Sequence, residues 1–442
     1  MYKKTLAGLT GIALTAVLAT PAAADSWRDD QYWLEDYGFT SAWDTSQGED
    51  VTVGIIDTGV DDSHPDLTGQ LAGGYDASGT GDSDGTTSMG PDPDHGTMVA
   101  SLLAGHGHGD PPDDEEDEDA DDDSDDSDDE AQDDVAPIDQ YGTDGILGAA
   151  PKVELLSVSV LLDDTAGGVP SVDEQIANGV NWLVDQDVDV INISLASSEQ
   201  DWPETWDEAF LHAEEQDVVV VVAAGNRASG SDVVGAPATI PGVLTVAGLD
   251  EDGTASWDAS TQGITIGVAA PADPLIGAVP GGDYTQWSGT SGAAPLVSGL
   301  AALIRAEHPK ISAEQVIQRI LATAEDSGHA GQGNLYGRGI IDADAALTAD
   351  VDEVSENPMG SIADWISMHR RGEVDDTETQ EQKHQAAGPV DYPSELPVAA
   401  KLAKQSTVLQ AGVVIGFGIA VVLAFGTSIF FWRKRTRTRH GS

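Results

Sequence analysis

The 442 residues carry 78 acidic side chains against 19 Lys and Arg, giving a formal net charge of −59, with 40% hydrophobic residues and no cysteine. That balance excludes nucleic acid as a partner, since a polyanion would be repelled. The missing thiols exclude disulfides, a cysteine nucleophile and cysteine-ligated metals, while the hydrophobic share suffices for a sizeable core.

Lys3 and Lys4 precede an apolar run from Leu6 to Leu18, and Ala22-Ala23-Ala24 follow. This order predicts a secretory signal peptide over 1–24, cut after Ala24; an uncleaved anchor helix is the alternative. Residues 25–48 hold Trp27, Tyr32, Trp33 and Trp43 and read as a short extension packed on the body. From Val51 the pattern alternates. Short apolar runs at Val51–Ile56, Val153–Val158, Val188–Ile193 and Val218–Val222 predict buried parallel strands. Amphipathic stretches at Val172–Asp185, Trp206–Gln216, Thr290–His308 and Ser312–Ala324 predict helices. Together they imply an α/β fold over 49–347, a doubly wound, mainly parallel sheet with helices on both faces.

The run Asp110–Asp134 holds 18 acidic residues in 25 positions and no basic one. It predicts a solvated, disordered insert over 109–144. Loose Ca²⁺ binding is the alternative, although the run lacks the spaced glycine and alternating ligands of an ordered calcium loop. Taking those 18 charges from −59 still leaves −41, so the acidity is global. Halophilic adaptation is the plainest physical reading, because high ionic strength screens self-repulsion.

Residues 348–407 are rich in Glu, Asp, Gln and Pro with little apolar periodicity, and read as a flexible stalk. Val408–Trp432 is uncharged over 25 residues, enough to cross a ~30 Å hydrocarbon core as one C-terminal transmembrane helix. Arg433-Lys434-Arg435, Arg437 and Arg439 follow in the tail 433–442. Positive residues stay on the cytoplasmic side, which places the body outside.

Three segments carry chemistry. Ile55-Ile56-Asp57-Thr58-Gly59 puts an acid at the end of a buried strand; His95-Gly96-Thr97 opens a helix of small residues; Gly289-Thr290-Ser291-Gly292 opens an apolar helix. A serine hydroxyl needs a neighbouring base. A neutral imidazole supplies it, and a buried carboxylate fixes the tautomer. Strand ends and helix N-termini gather along one edge of such a sheet, and a helix N-terminus favours an oxyanion. Taken singly, each residue reads as well as a turn Asp, a capping His or an N-cap Ser.

The order Asp, His, Ser and these motifs resemble the subtilisin-like serine peptidases, over about Trp33 to Leu347. The resemblance implies Asp57, His95 and Ser291 as the catalytic triad. Ala223-Ala224-Gly225-Asn226 is similar to the segment whose Asn helps form the oxyanion hole, although a turn Asn is the bland alternative. Ile193-Ser194-Leu195-Ala196 resembles the strand lining the primary specificity pocket. Ser159-Val160-Leu161-Leu162 resembles the segment that pairs with substrate backbone by β-addition. Ser194, Leu195, Ala196, Leu161 and Gly225 are therefore the expected substrate-binding residues. His64, in Ser63-His64-Pro65, reads as structural. His106, His108, His212, His308 and His329 show no ligand spacing, so no metal site is expected and the chemistry requires no cofactor.

The layout is similar to that of the mycosins, proteases associated with type VII secretion: signal peptide, short extension, protease body, stalk, one membrane helix and basic tail. Tyr32-Trp33-Leu34 and Ala42-Trp43 add to that resemblance. It implies a protein or peptide substrate, attachment to the membrane and a secretion-complex partner. A general degradative surface protease and a structural subunit with a protease-fold scaffold are the rivals. Two features depart from the pattern. Mycosins generally carry disulfides, and Gly292 stands where a larger residue is usual, which is expected to loosen the first helical turn.

Overall fold

The computed structural model describes residues 26–109, 142, 144–162, 167–328 and 331–370, all within one compact unit. The expected signal peptide, membrane helix and basic tail lie outside these residues, as do most of the acidic insert and the stalk beyond 370. Among the described residues, no helix is long and apolar enough to cross a membrane.

Three helical turns open the chain: α1 (Ser26–Asp29), α2 (Trp33–Asp36) and α3 (Phe39–Ala42). Strands β1 (Thr52–Asp57) and β2 (Leu71–Asp76) precede α4 (His95–Ala104). The hairpin strands β3 (His106–His108) and β4 (Asp144–Leu147) come next, then β5 (Glu154–Ser159), α5 (Val172–Asp185), β6 (Val190–Ile193) and α6 (Glu204–Glu215). Strands β7 (Val219–Ala223), β8 (Leu244–Asp250) and β9 (Ile266–Asp273) follow. The antiparallel pair β10 (Leu275–Val279) and β11 (Asp283–Trp287) leads into α7 (Thr290–Glu307). The helices α8 (Ala313–Thr323), α9 (Gly333–Tyr336), α10 (Ala343–Thr348) and α11 (Ile362–His369) close the described chain.

The main sheet has seven strands in the order β2-β5-β1-β6-β7-β8-β9, all parallel. Its central strands are apolar on both faces because both faces are covered; every residue of β6 and β7 is buried. Register sets Asp57 beside Ser159 of β5, and Ile56 beside Ile193 of β6. The C-terminal ends of β1, β6 and β7 thus line up on one edge, where the α4 and α7 N-termini also arrive. Helix α7 is buried from Thr290 to Ile304. Helix α5 begins with a complete capping box, Ser171 and Glu174 each satisfying the other's backbone N–H.

The extension, described from residue 26 to 48, packs on the body and adds to its core. Trp33 is fully buried and meets Phe39 edge-on at 5.3 Å. The Trp43 indole donates to Ala149 O at 3.0 Å, and the Gln31 amide exchanges bonds of 2.8 and 2.9 Å with the Leu147 backbone.

Two expected boundaries move. Asp144, assigned above to the insert, belongs to β4, paired with His108. Residues 349–370, expected as the start of the stalk, fold on the body instead. The Asn357 amide donates to Gly242 O, Ile362 is buried, and the Trp365 ring lies tilted against Trp202 at 4.4 Å.

Candidate active site

Asp57 ends β1, and the chain turns at once through Thr58 and Gly59. Gly59 adopts φ +105°, a backbone state that side chains rarely permit. Gly96 then crosses this turn so closely that a Cβ there would run into the Gly59 carbonyl. The two glycines let the start of α4 rest on the end of β1. His95, the first residue of α4, donates from Nδ1 to Asp57 Oδ1 at 2.7 Å.

Asp57 Oδ1 also accepts the Thr58 N–H at 2.7 Å, and the Thr58 hydroxyl accepts the Gly96 N–H at 3.0 Å. Asp57 Oδ2 is buried without a hydrogen-bond partner among the described residues. Burial of the His95 ring pushes its pKa down. The Asp57 charge, its hydrogen bond and the Asp92 charge push the other way and win, so the pKa lies above the ordinary histidine value. The Trp287 ring stands edge-on to His95 at 5.7 Å.

Ser291 is the second residue of α7. Its hydroxyl donates to Ser194 O at 3.0 Å, and the Ser194 hydroxyl donates to Ser291 O at 2.8 Å. The Ser194 hydroxyl itself accepts from Asn192 Nδ2, and Asn192 Oδ1 accepts from Ser298, so the pair sits on a buried polar network. Ser291 and His95 share a cleft but are not hydrogen-bonded in this state, which is common for catalytic groups without substrate.

Asn226 follows β7. Its Oδ1 accepts both the Thr290 N–H at 2.8 Å and the Thr290 hydroxyl at 2.9 Å. This caps α7 and leaves the amide Nδ2 without a hydrogen-bond partner among the described residues. Gly289 takes φ +149°, and a Cβ there would stand 3.0 Å from Asn226 Nδ2. The Ser291 N–H lies in the first helical turn, where amides have no intrahelical acceptor. Asn226 and the partial positive charge of the α7 N-terminus therefore stand in the same cleft as the Ser291 hydroxyl.

The cleft encloses about 620 Å³. Thr58, Asp92, His95 and Met98 line it from the β1–α4 region, and Ser194, Leu195, Ala196 and Ser198 from the loop after β6. Gly225, Asn226, Ser229 and Ser231 come from the loop after β7, Trp287 and Ser288 from the end of β11 and the turn after it, and Ser291 from the start of α7. No residue of 26–48 lines it. Leu161 does not line it either: its N–H donates to Gln175 Oε1 at 2.7 Å and its carbonyl accepts from Gln175 Nε2. Its neighbour Leu162 takes that wall. Leu162 belongs to the motif already singled out, one residue on from Leu161, whereas no motif marked Met98 or Trp287 as cleft residues. Gly292 is packed rather than loose, since Leu275 occupies the space a side chain would need, with Leu102 and Trp287 beside it.

His64 lies outside the cleft. It is fully buried, its Nδ1 accepts the Asp66 N–H at 3.2 Å, and burial pushes its pKa down. The Asp66 carboxylate in turn holds His108 at 2.6 Å, the Ile146 N–H at 2.9 Å and the Tyr284 hydroxyl at 2.8 Å. Among the described residues, no group of three or more His, Asp or Glu could hold a metal ion.

Comparison with known proteins agrees with this geometry. The model of the subtilase family (Peptidase_S8) matches residues 48–339. Subtilisin DY of Bacillus licheniformis is 33% identical over 305 residues, covering 68% of this chain and 92% of its own. Fervidolysin of Fervidobacterium pennivorans is 31% identical over 340 residues, covering 71% of this chain; the match spans only 43% of fervidolysin. Its crystal structure superposes with a TM-score of 0.60 at 28% identity, over 75% of this chain and 48% of that one. The crystal structure of MycP1 with its N-terminal propeptide removed superposes with a TM-score of 0.55 at 28% identity, over 74% of this chain and 99% of that one. The chain belongs to the subtilase family, the subtilisin-like serine proteases.

Proposed function

We propose that the protein is a membrane-anchored serine endopeptidase that cleaves exported polypeptides at the outer face of the cytoplasmic membrane. The observation that carries the catalytic part is the 2.7 Å bond between Asp57 and His95, at a cleft into which Ser291 and Asn226 also open. With the proton held on Nδ1 by Asp57, His95 Nε2 is free to act as the base. On substrate binding the Ser291 hydroxyl leaves Ser194 O, gives its proton to His95 and attacks the scissile carbonyl. Asn226 Nδ2 and the Ser291 N–H receive the oxyanion. His95 then protonates the leaving amine, and water repeats the sequence on the acyl-enzyme. Ser194, Leu195, Ala196 and Gly225 hold the substrate.

The location rests on the sequence: a signal peptide over 1–24, an apolar span over 408–432 and a basic tail after it. The mycosin-like layout, together with the structural likeness to MycP1, supports a place beside a type VII secretion complex. The acidity supports work at high salt. Expression in a salt-adapted host tests the whole reading. Hydrolysis of an exported polypeptide should sit in the membrane fraction and vanish with Ser291→Ala. Activity in the soluble fraction, or activity kept by Ser291→Ala, would contradict it.

A further inference from the structure

The substrate-lining loop between β6 and α6 is held at its two ends and at its middle, yet exposed over most of its length. At its start Ser194 is bonded to Ser291, while Ala196 to Asp201 are all exposed. Two backbone bonds to Ala236, from Ser197 at 2.9 Å and to Glu199 at 2.7 Å, brace the middle. At its end stands Trp202, held both by Asp207 of α6 and by residues from the far end of the described chain.

After 349–354 are bonded to α8 through Gln315 and Arg319, residues 361–370 run as a strap along α6. The strap starts near the α6 C-terminus, where Glu214 accepts the Ser361 hydroxyl and the Ile362 N–H, each at 2.8 Å. It ends at the α6 N-terminus. There the Trp365 ring lies 4.4 Å from Trp202, and the Arg370 guanidinium lies 4.9 Å over Trp365. Asp207 joins the two segments: Oδ1 accepts the Trp202 indole N–H at 2.8 Å and Oδ2 accepts Arg370 Nε at 2.7 Å. Arg370 Nη2 also donates to Trp202 O at 3.2 Å. An arginine donating to two separate acceptors, an aromatic pair and a cation–π contact are the means by which a small cluster fixes one geometry. Because parallel strands end where the following helices begin, this cluster stands on the same sheet edge as the cleft.

We propose that the strap is a positioning element for the substrate loop 194–203, with Trp365 and Arg370 as its positioning residues acting through Trp202. The strap touches neither His95 nor Ser291, so it acts on how a peptide is held and not on the chemical step. The proposal rests on the cleft being a peptidase site, and the test separates the two. In the full-length chain, Trp365→Ala and Arg370→Gln should raise KM for an extended peptide by about tenfold, equivalent to one lost positioning contact, with kcat little changed. The rate at which a small serine-reactive fluorophosphonate labels the protein should stay at the wild-type level, and Trp365→Phe should restore KM. An unchanged KM in both variants would overturn the proposal. So would a parallel loss of labelling and turnover in both, which would make the strap merely structural. Failure of the wild type itself to label would sink the peptidase reading instead.

Discussion

Ser291 and Ser194 exchange two hydrogen bonds, hydroxyl to carbonyl in each direction, at 3.0 and 2.8 Å. The reason lies four residues along α7. Pro295 has no N–H, so the Ser291 carbonyl has no partner within the helix. The Ser194 hydroxyl takes that vacant acceptor and, in doing so, ties the nucleophile's backbone to the substrate loop. Ser194→Ala should therefore leave the buried Ser291 carbonyl unpaired and cost about 1–3 kcal/mol in chemical denaturation. An unchanged midpoint would show that this bond is not holding the helix start.

Asn226 caps Thr290 with its oxygen and lines the cleft. Asn226→Ala should lower kcat by roughly 10²–10³-fold with little effect on KM, as for loss of one oxyanion donor. Asn226→Asp keeps the cap but turns an acceptor toward the oxyanion, so it should restore stability without restoring kcat. Steady-state kinetics beside a thermal melt distinguishes these roles.

His95 works as a base only when neutral, and its pKa is raised by Asp57 and Asp92 against the effect of burial. Activity should rise with pH through a pKa above the usual ~6.5 of histidine. Asp92→Asn removes one raising charge and should move the acid limb of kcat/KM to lower pH. The stability contribution has the opposite sense. A raised folded-state pKa stabilises fully below the unfolded value of ~6.5 and loses that contribution as pH climbs through the folded one. A limb that stays in place in Asp92→Asn would contradict the assignment of His95 as the titrating base.

Gly292 stands where Leu275, Leu102 and Trp287 have closed the space. Gly292→Met should destabilise by about 1–3 kcal/mol through overpacking. Leu275→Ala in the same chain should return much of that loss, read as the melting temperature of the double variant against each single one.

Much of the body was legible because its central strands are β-branched and apolar, as at Val218–Val222, and because Ser171 and Glu174 mark the start of α5. Strands β2 and β9 were not, since Gly73 and Gly74 in one and Ala269, Ala270 and Pro271 in the other carry little strand signal. The strap hid inside an acidic stretch. Ile362, Trp365 and Ile366 follow helical spacing, yet the helix is short and follows the acidic residues Asp350, Asp352, Glu353 and Glu356. The triad positions were readable as linear motifs. The cleft walls were not, because Met98 and Trp287 line it by tertiary placement, and Gln175 claims the Leu161 backbone from fourteen residues away.

The most direct test of the central claim is covalent labelling of the full-length protein with a fluorophosphonate, at low and at molar salt, with the adduct mapped by mass. The account predicts one adduct on Ser291, strongest at high salt, and none in Ser291→Ala or His95→Ala. A folded protein that takes no label at either salt, or takes it equally well without His95, would show that Asp57, His95 and Ser291 do not act as one catalytic unit.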